Sequence, residues 1–430
     1  MARRISPRFI RLAGLKLGLV LLVLAGGFGC STYHGRSIRY QLEHEYSVRE
    51  PQFLRSMGHL VGPAILASNR VSALINGERI FPAMLEAVRS ARKSITLETY
   101  IYWSGAVGRE FAEALAERAR AGVKVHVLID WIGSRRVNAR DLQIMREAGV
   151  EVEKYNPLVW FNLARLNHRD HRKLLIVDGR IGFIGGAGLA DIWQGDADAP
   201  GHWRDTQFRL EGPAVGQMQA AFLDNWTKTV GRILDGPDYF PELICAGDHH
   251  AQVFFSSPRD GTETVRLMYL LAIAAAEKNI RLSASYFVPG ALTTEELVDA
   301  SKRGVNVEII VPGSGTDVPM ARYASRSKWG PLLKAGVKIY EYQPTMYHCK
   351  VMIVDDVWVT VGSANFDNRS FRLNDEANLN VYSVEFAAEQ ARIFEEDRKN
   401  AELVTYKEWK HRGWCTKLLE KILAPFRSQL

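Results

Sequence analysis

Hydrophobic and polar positions along this chain follow two periods in alternation. From about residue 66 onward, short runs of β-branched and aliphatic residues, such as SITLETYIY at 94–102, give way to stretches with Ala, Glu, Arg and Leu at helical spacing. Each helical stretch closes on a glycine turn into the next run, as in ALAERARAGVKVHVLID, which ends at Asp130. Strand periodicity handing over to helix periodicity predicts strands joined by helical crossovers, hence a mostly parallel sheet with helices on both faces. The predicted class is α/β.

The same pattern occurs twice. SITLETYIY pairs with NIRLSASYF at 279–287, ALAERARAGVKVHVLID with LVDASKRGVNVEIIV ending at Val311, and REAGVEVEKY ending at Tyr155 with LKAGVKIYEY ending at Tyr342. Recurrence in the same order marks a duplicated unit. It predicts two α/β/α sandwich halves, residues 66–240 and 241–430, related by a pseudo-two-fold axis. DGPDYFPE, beginning at Asp235, breaks regular structure between them.

After each third segment stands a polar motif on an apolar strand. HRDHRKLLIVDGR at 168–180 and HCKVMIVDD at 348–356 place His171, Lys173 and Asp178 at the same spacing as His348, Lys350 and Asp355. On a strand, residues i and i+2 share a face, so each His projects with its Lys from the end of a buried run. The DG and DD pairs look like hairpin turns. Asp178 and Asp355 thus belong to the repeated catalytic motif, while their position favours a turn role.

Two imidazoles and two ammonium groups meeting at a pseudo-axis suit a phosphodiester. One neutral imidazole attacks phosphorus, forming a phosphohistidine; the other, protonated, donates to the leaving alkoxide and takes a proton from the incoming hydroxyl. The lysines neutralise the nonbridging oxygens, so neither metal nor cofactor is called for. His168 and His171 would point to opposite faces of a strand, and Cys30, Cys245, Cys349 and Cys415 form no CxxC pair.

Composition is that of a globular protein, and the net charge of +7 suits an anionic partner, phospholipid headgroups or nucleic acid. No basic stripe interleaved with aromatics is present, so nucleic acid is not expected. The first thirty residues differ from the rest. Arg3, Arg4, Arg8 and Arg11 precede an apolar stretch from Leu17 to Phe28, short for a bilayer span and apt for a signal-peptide core or amino-terminal anchor. Cys30 follows in a setting that loosely resembles a lipoprotein processing site, with Gly27 and Phe28 departing from that pattern. The expected layout is an export segment or anchor at 1–29, a linker at 30–65, and a catalytic part on the outer side of a bacterial inner membrane.

Paired HxKxxxxD motifs, followed by GGAG at 185–188 and GSAN at 362–365, resemble the phospholipase D superfamily through nearly the whole chain after about residue 65. NGERIFPAMLEAVRSARKSITLETYIYW from Asn76 and GSANFDNRSFRLNDEANL from Gly362 are similar to its bacterial cardiolipin synthase branch. The resemblance implies that His171 is the nucleophile and His348 the general acid and base. It implies that Lys173 and Lys350 bind phosphate with Ser363 and Asn365, and that carboxylates orient the imidazoles, Glu376 for His348 and Asp205 for His171. Gly188 departs from the pattern, standing where the family usually has Asn.

The implied activity is a membrane-associated phosphatidyltransferase acting on anionic phospholipids. A phospholipase D using water, or a nuclease of the superfamily, would use the same residues. Two further segments bear on the substrate. Between Tyr and His lie sixteen positions in the first half (171 − 155) and six in the second (348 − 342); the extra loop, NPLVWFNLARLN at 156–167, is apolar enough to touch acyl chains or to pack on the domain. From Lys410, Trp414, Leu418, Ile422 and Phe426 recur at helical spacing among basic residues, as in a helix lying on an anionic membrane or on its own core.

Overall fold

Both repeats fold along the same path. The computed structural model describes residues 44–157, 167–257 and 263–423. The first half contributes β1 (Leu66–Ile75), β2 (Ser94–Thr99), β3 (Lys124–Asp130), β4 (Glu151–Tyr155), β5 (Arg169–Asp170), β6 (Lys173–Val177), β7 (Ile181–Gly185) and β8 (Thr206–Glu211). The second contributes β9 (His249–Ser256), β10 (Asn279–Ala284), β11 (Phe287–Val288), β12 (Asn306–Pro312), β13 (Lys338–Tyr342), β14 (Lys350–Val354), β15 (Trp358–Gly362), β16 (Phe366–Asp367), β17 (Asn374–Tyr382) and β18 (Ala401–Val404).

Outward from the centre, the order β1-β8-β7-β6-β2-β3-β4 in one direction matches β9-β17-β15-β14-β10-β12-β13 in the other, with β18 added at the second edge. The strand order is that of a pseudo-two-fold axis, and β1 and β9 meet antiparallel on it, with Leu66 opposite Ala251 and Asn69 opposite His249. The expected mostly parallel sheet is instead mixed. Among the described residues, β2-β3-β4 and β10-β12-β13, the short β5–β17 contact and the separate β11–β16 pair run parallel, and the remaining strand pairs run antiparallel. The reason lies in the turns. A parallel crossover needs a dozen or more residues, whereas β6–β7 and β14–β15 are each joined by only three residues. Asp178 and Gly179 have φ of 53° and 62°, and Asp355 and Asp356 of 52° and 54°, the left-handed pair that a tight hairpin requires.

Apolar side chains form three clusters. One fills the first half beneath the helices Asn76–Ser90 and Ala106–Arg120, another fills the second half, and a third is shared, joining Phe208, Met218 and Trp226 to Val359, Phe386 and Phe394. The shared cluster fixes the halves against each other. Part of the expected linker is not a tether: Phe53 and Met57 of the helix Pro51–Leu60 are buried in the second half's core, Phe53 lying edge-on to Trp358. Among the described residues no helix is long and apolar enough to cross a membrane. The apolar stretch from Leu17 to Phe28, Cys30, and loop residues 158–166 lie outside the described residues.

Candidate active site

His171 and His348 line one cavity of about 340 Å³, with Lys173 and Asn365 beside them. The approach to each histidine pairs with a strand of the opposite half. Arg169 and Asp170 run parallel to Asn374 and Asp375, and the His171 N–H donates to the Asp375 carbonyl at 2.9 Å. Reciprocally, Tyr347 bridges to Arg204, and the His348 N–H donates to the Arg204 carbonyl at 2.7 Å.

This pairing reverses the expected carboxylate partners. His171 Nδ1 lies 3.0 Å from both Glu376 oxygens, and His348 Nδ1 lies 2.7 Å from Asp205 Oδ2. The partners that the resemblance implied are exchanged, because each carboxylate follows the residue that bonds the other half's strand. An ionised carboxylate only accepts, so each imidazole carries its hydrogen on Nδ1 and presents the Nε2 lone pair. The two carboxylates are held differently. Glu376 accepts from Ser363 Oγ at 2.5 Å, Ser370 Oγ at 2.7 Å and Asn374 at 3.3 Å. Asp205 accepts from the Trp193 indole at 2.9 Å and the Thr206 N–H at 2.8 Å.

That asymmetry accounts for the first half's glycines. A Cβ at Gly186, the counterpart of Ser363, would stand 2.4 Å from Asp205 Oδ1. One at Gly188, the counterpart of Asn365, would stand 2.9 Å from Ile101 Cβ and 3.1 Å from the Trp193 ring. The family's amide is displaced there by an indole. Ser363, expected on phosphate, is fully buried against Glu376 and supports it instead. Asn365 reaches the cavity, its Oδ1 committed to the Ser285 hydroxyl at 2.6 Å.

Both lysines are buried. Lys173 donates to the His171 carbonyl at 2.5 Å, and Lys350 to the His348 carbonyl at 2.8 Å with the imidazole nitrogens 3.2 and 3.3 Å away. Burial holds His171 down to about 4; Glu376 opposes that shift and Lys173 adds to it. Burial and then Lys350 bring His348 to about 4 against the pull of Asp205. Burial also lowers Lys173, to about 7, and lowers Lys350. Burial alone would raise Glu376 and Asp205, but His171 and His348 with the lysines outweigh it, so both carboxyls sit below their ordinary values. Both imidazoles are therefore neutral at pH 7. A bound phosphodiester would bring the negative charge that raises the one facing the leaving oxygen.

Asp178 and Asp355 are corrections to the catalytic set. Asp178 accepts from the backbone N–H groups of Arg92, Lys93 and Ser94 at 2.7–3.1 Å, and Asp355 from those of Glu277, Lys278 and Asn279 at 2.8–2.9 Å. Five residues along a strand put each roughly 16 Å from its lysine. They tie the hairpin turns to the starts of β2 and β10.

Several cavity residues were not foreseen. Tyr100 lies edge-on to His171 with ring centres 5.3 Å apart, and Trp193 and Trp203 flank His348 at 5.5 and 5.2 Å. At the rim the Tyr286 hydroxyl donates to Asp317 at 2.7 Å, and Arg169 and Arg369 line the wall. A signal for Tyr100 and Tyr286 was present: both follow the strands that pair with Lys173 and Lys350, where Thr99 faces Lys173 and Ala284 faces Lys350.

A family model described as cardiolipin synthase, PLD-like domain, matches residues 84–191 and 269–398. Cardiolipin synthase of Geobacillus kaustophilus is 34% identical over 363 residues, 84% of this chain and 72% of the relative. Cardiolipin synthase A of Pseudomonas syringae pv. syringae is 36% identical over 342 residues, 78% of this chain and 70% of the relative. The fold is that of the crystal structure of phosphatidylserine synthase from Haemophilus influenzae, with a TM-score of 0.69 at 15% identity, covering 87% of this chain and 99% of that one.

Proposed function

Because the chain belongs to the phospholipase D-like cardiolipin synthase family, we propose that this phosphatidyltransferase passes a phosphatidyl group from phosphatidylglycerol to a second lipid alcohol at the membrane surface, through a phosphohistidine. The observation that carries the reading is the reciprocal site: two neutral imidazoles in one cavity, each backed through Nδ1 by a carboxylate of the opposite half.

His171 Nε2 attacks phosphorus, the bond from phosphorus to the glycerol oxygen breaks, and His348, protonated as the phosphodiester binds, gives that oxygen its proton. Glycerol leaves. The hydroxyl of the acceptor then gives its proton to His348 Nε2 while its oxygen attacks phosphorus and the N–P bond breaks. Lys173 and Lys350 bind the nonbridging oxygens in both steps, and the Asn365 amide adds a polar contact. Glu376 and Asp205 stabilise the positive charge that each ring carries in turn. The order of the two histidines follows the family resemblance.

Transfer and hydrolysis differ only in the second nucleophile. Purified protein incubated with phosphatidylglycerol vesicles and a chelator is expected to release glycerol and form cardiolipin. Phosphatidic acid as the sole lipid product makes the protein a hydrolase, and turnover that a chelator abolishes and a divalent cation restores contradicts charge neutralisation by lysine alone.

A further inference from the structure

The helix Trp414–Leu423 is amphipathic, but its orientation is the reverse of an ordinary surface helix. Trp414, Leu418, Leu419 and Ile422 are 75%, 49%, 42% and 56% exposed, whereas Glu420, on the opposite side of the helix, is 3% exposed. Glu420 faces inward because it pairs with Arg412 at 2.8 Å, and the Arg412 guanidinium stacks 4.1 Å over Trp409. The Trp409 indole in turn donates to the Arg326 carbonyl at 2.6 Å. The polar residues thus anchor the helix to the protein and present its apolar stripe to solvent, an arrangement that wants an apolar medium on the outer side.

What lies around the stripe indicates which medium. Lys417 is exposed on the same helix and Lys407 and Lys410 on the helix Tyr406–His411 just before it, while the charge of Arg412 is already met by Glu420. Apolar anchors flanked by unspent ammonium groups match the interface of an anionic bilayer, where lysines meet phosphates and the rings and aliphatic chains sink among acyl chains. The helix also packs on the helix Pro319–Arg326, whose Ala321, with Val318 just before it, lines the catalytic cavity and whose Met320 is 48% exposed. The apolar surface therefore leads toward the cavity mouth.

We propose that the helix Trp414–Leu423 lies in the headgroup region of an anionic phospholipid bilayer, with Trp414, Leu418, Leu419 and Ile422 immersed, and so sets the mouth of the catalytic cavity against the membrane. The consequence for lipid turnover rests on the phosphatidyltransferase reading, but immersion itself does not. It is tested on the full chain with an environment-sensitive fluorescent amino acid, placed genetically at Ile422 and, in a second preparation, at Ile233. Ile233, 69% exposed against 56% for Ile422, borders a separate surface depression with Gly122 and Arg232.

On vesicles containing phosphatidylglycerol, the probe at 422 is expected to shift to the blue and to be quenched by brominated acyl chains, while the probe at 233 stays aqueous. Equal behaviour at the two positions overturns the proposal. So does a probe at 422 that is already in an apolar setting without lipid, accompanied by a dimeric mass, which would assign the stripe to a second copy of this chain. The triple variant Trp414→Ser, Leu418→Ser, Ile422→Ser is expected to lose at least about tenfold in turnover of vesicle phosphatidylglycerol while keeping turnover of detergent-dispersed lipid within about twofold. Unchanged vesicle turnover in the variant counts against the proposal. A wild-type chain inactive on both forms of lipid would sink the enzymatic reading and leave the probe measurement to decide immersion.

Discussion

At each histidine, burial and a neighbouring ammonium group hold the imidazole neutral while a carboxylate at Nδ1 fixes the tautomer, and these opposed influences set a pH window. As the proposed nucleophile, His171, held down to about 4, would attack only when neutral, so kcat/KM is expected to rise as pH rises through about 4. Lys173, lowered to about 7, binds phosphate only when protonated, so kcat/KM is expected to fall as pH rises through about 7. Glu376 pulls both values upward. Glu376→Gln is therefore expected to move both limbs of the profile to lower pH and to cut the plateau by at least about 10²-fold, since the tautomer is no longer held. A profile whose limbs stay in place would contradict the pairing of Glu376 with His171. Both His/Lys pairs stand out in the chain as a repeated polar motif on apolar strands, and the family resemblance supplied the two carboxylates; their pairing was not legible. Which carboxylate meets which ring depends on strands more than 140 residues apart, Asp375 beside Asp170 and Arg204 beside Tyr347.

The strands that carry the motif owe their position to the hairpin turns behind them. Asp178 and Asp355 each gather three backbone N–H groups from the start of the neighbouring strand, which locks the register of β2 on β6 and of β10 on β14. Asp178→Ala or Asp355→Ala leaves those donors without their acceptor and is expected to cost about 1–3 kcal/mol, read as a lower urea midpoint. Turnover per folded molecule should stay within about twofold, far from the 10²–10⁴-fold that loss of an acid–base group brings. A large fall in kcat at unchanged stability would return these residues to the chemistry. Element type was readable from the alternation of periods, and the hairpins from DG and DD. Sheet direction was misjudged because helical crossovers account for only β2-β3-β4 and β10-β12-β13, while the four strands nearer the axis in each half run antiparallel, with short loops at β6–β7 and β14–β15 and the β1–β9 junction between the halves.

As a whole, the molecule is one reaction centre made by two copies of a unit. Neither copy holds a complete site, since the shared core of Phe208, Trp226, Val359 and Phe386 sets each half's histidine against the other half's carboxylate. Duplication also freed the copies to diverge. Trp193 and the glycines at 186 and 188 replace, around His348, the hydroxyl and amide that Ser363 and Asn365 supply around His171. The divergence suits the proposed division of labour, in which one ring is the nucleophile and the other the acid and base. Trapping the intermediate tests this division most directly: wild-type protein is mixed with excess phosphatidylglycerol, quenched in alkali within a single turnover, digested, and its histidine peptides are weighed. The expected result is a phosphatidyl adduct, read after alkaline loss of its acyl chains as a glycerophosphoryl group, on the peptide carrying His171 and none on that carrying His348. An adduct on His348 would reverse the roles, and reproducible turnover with an adduct on neither would contradict covalent transfer.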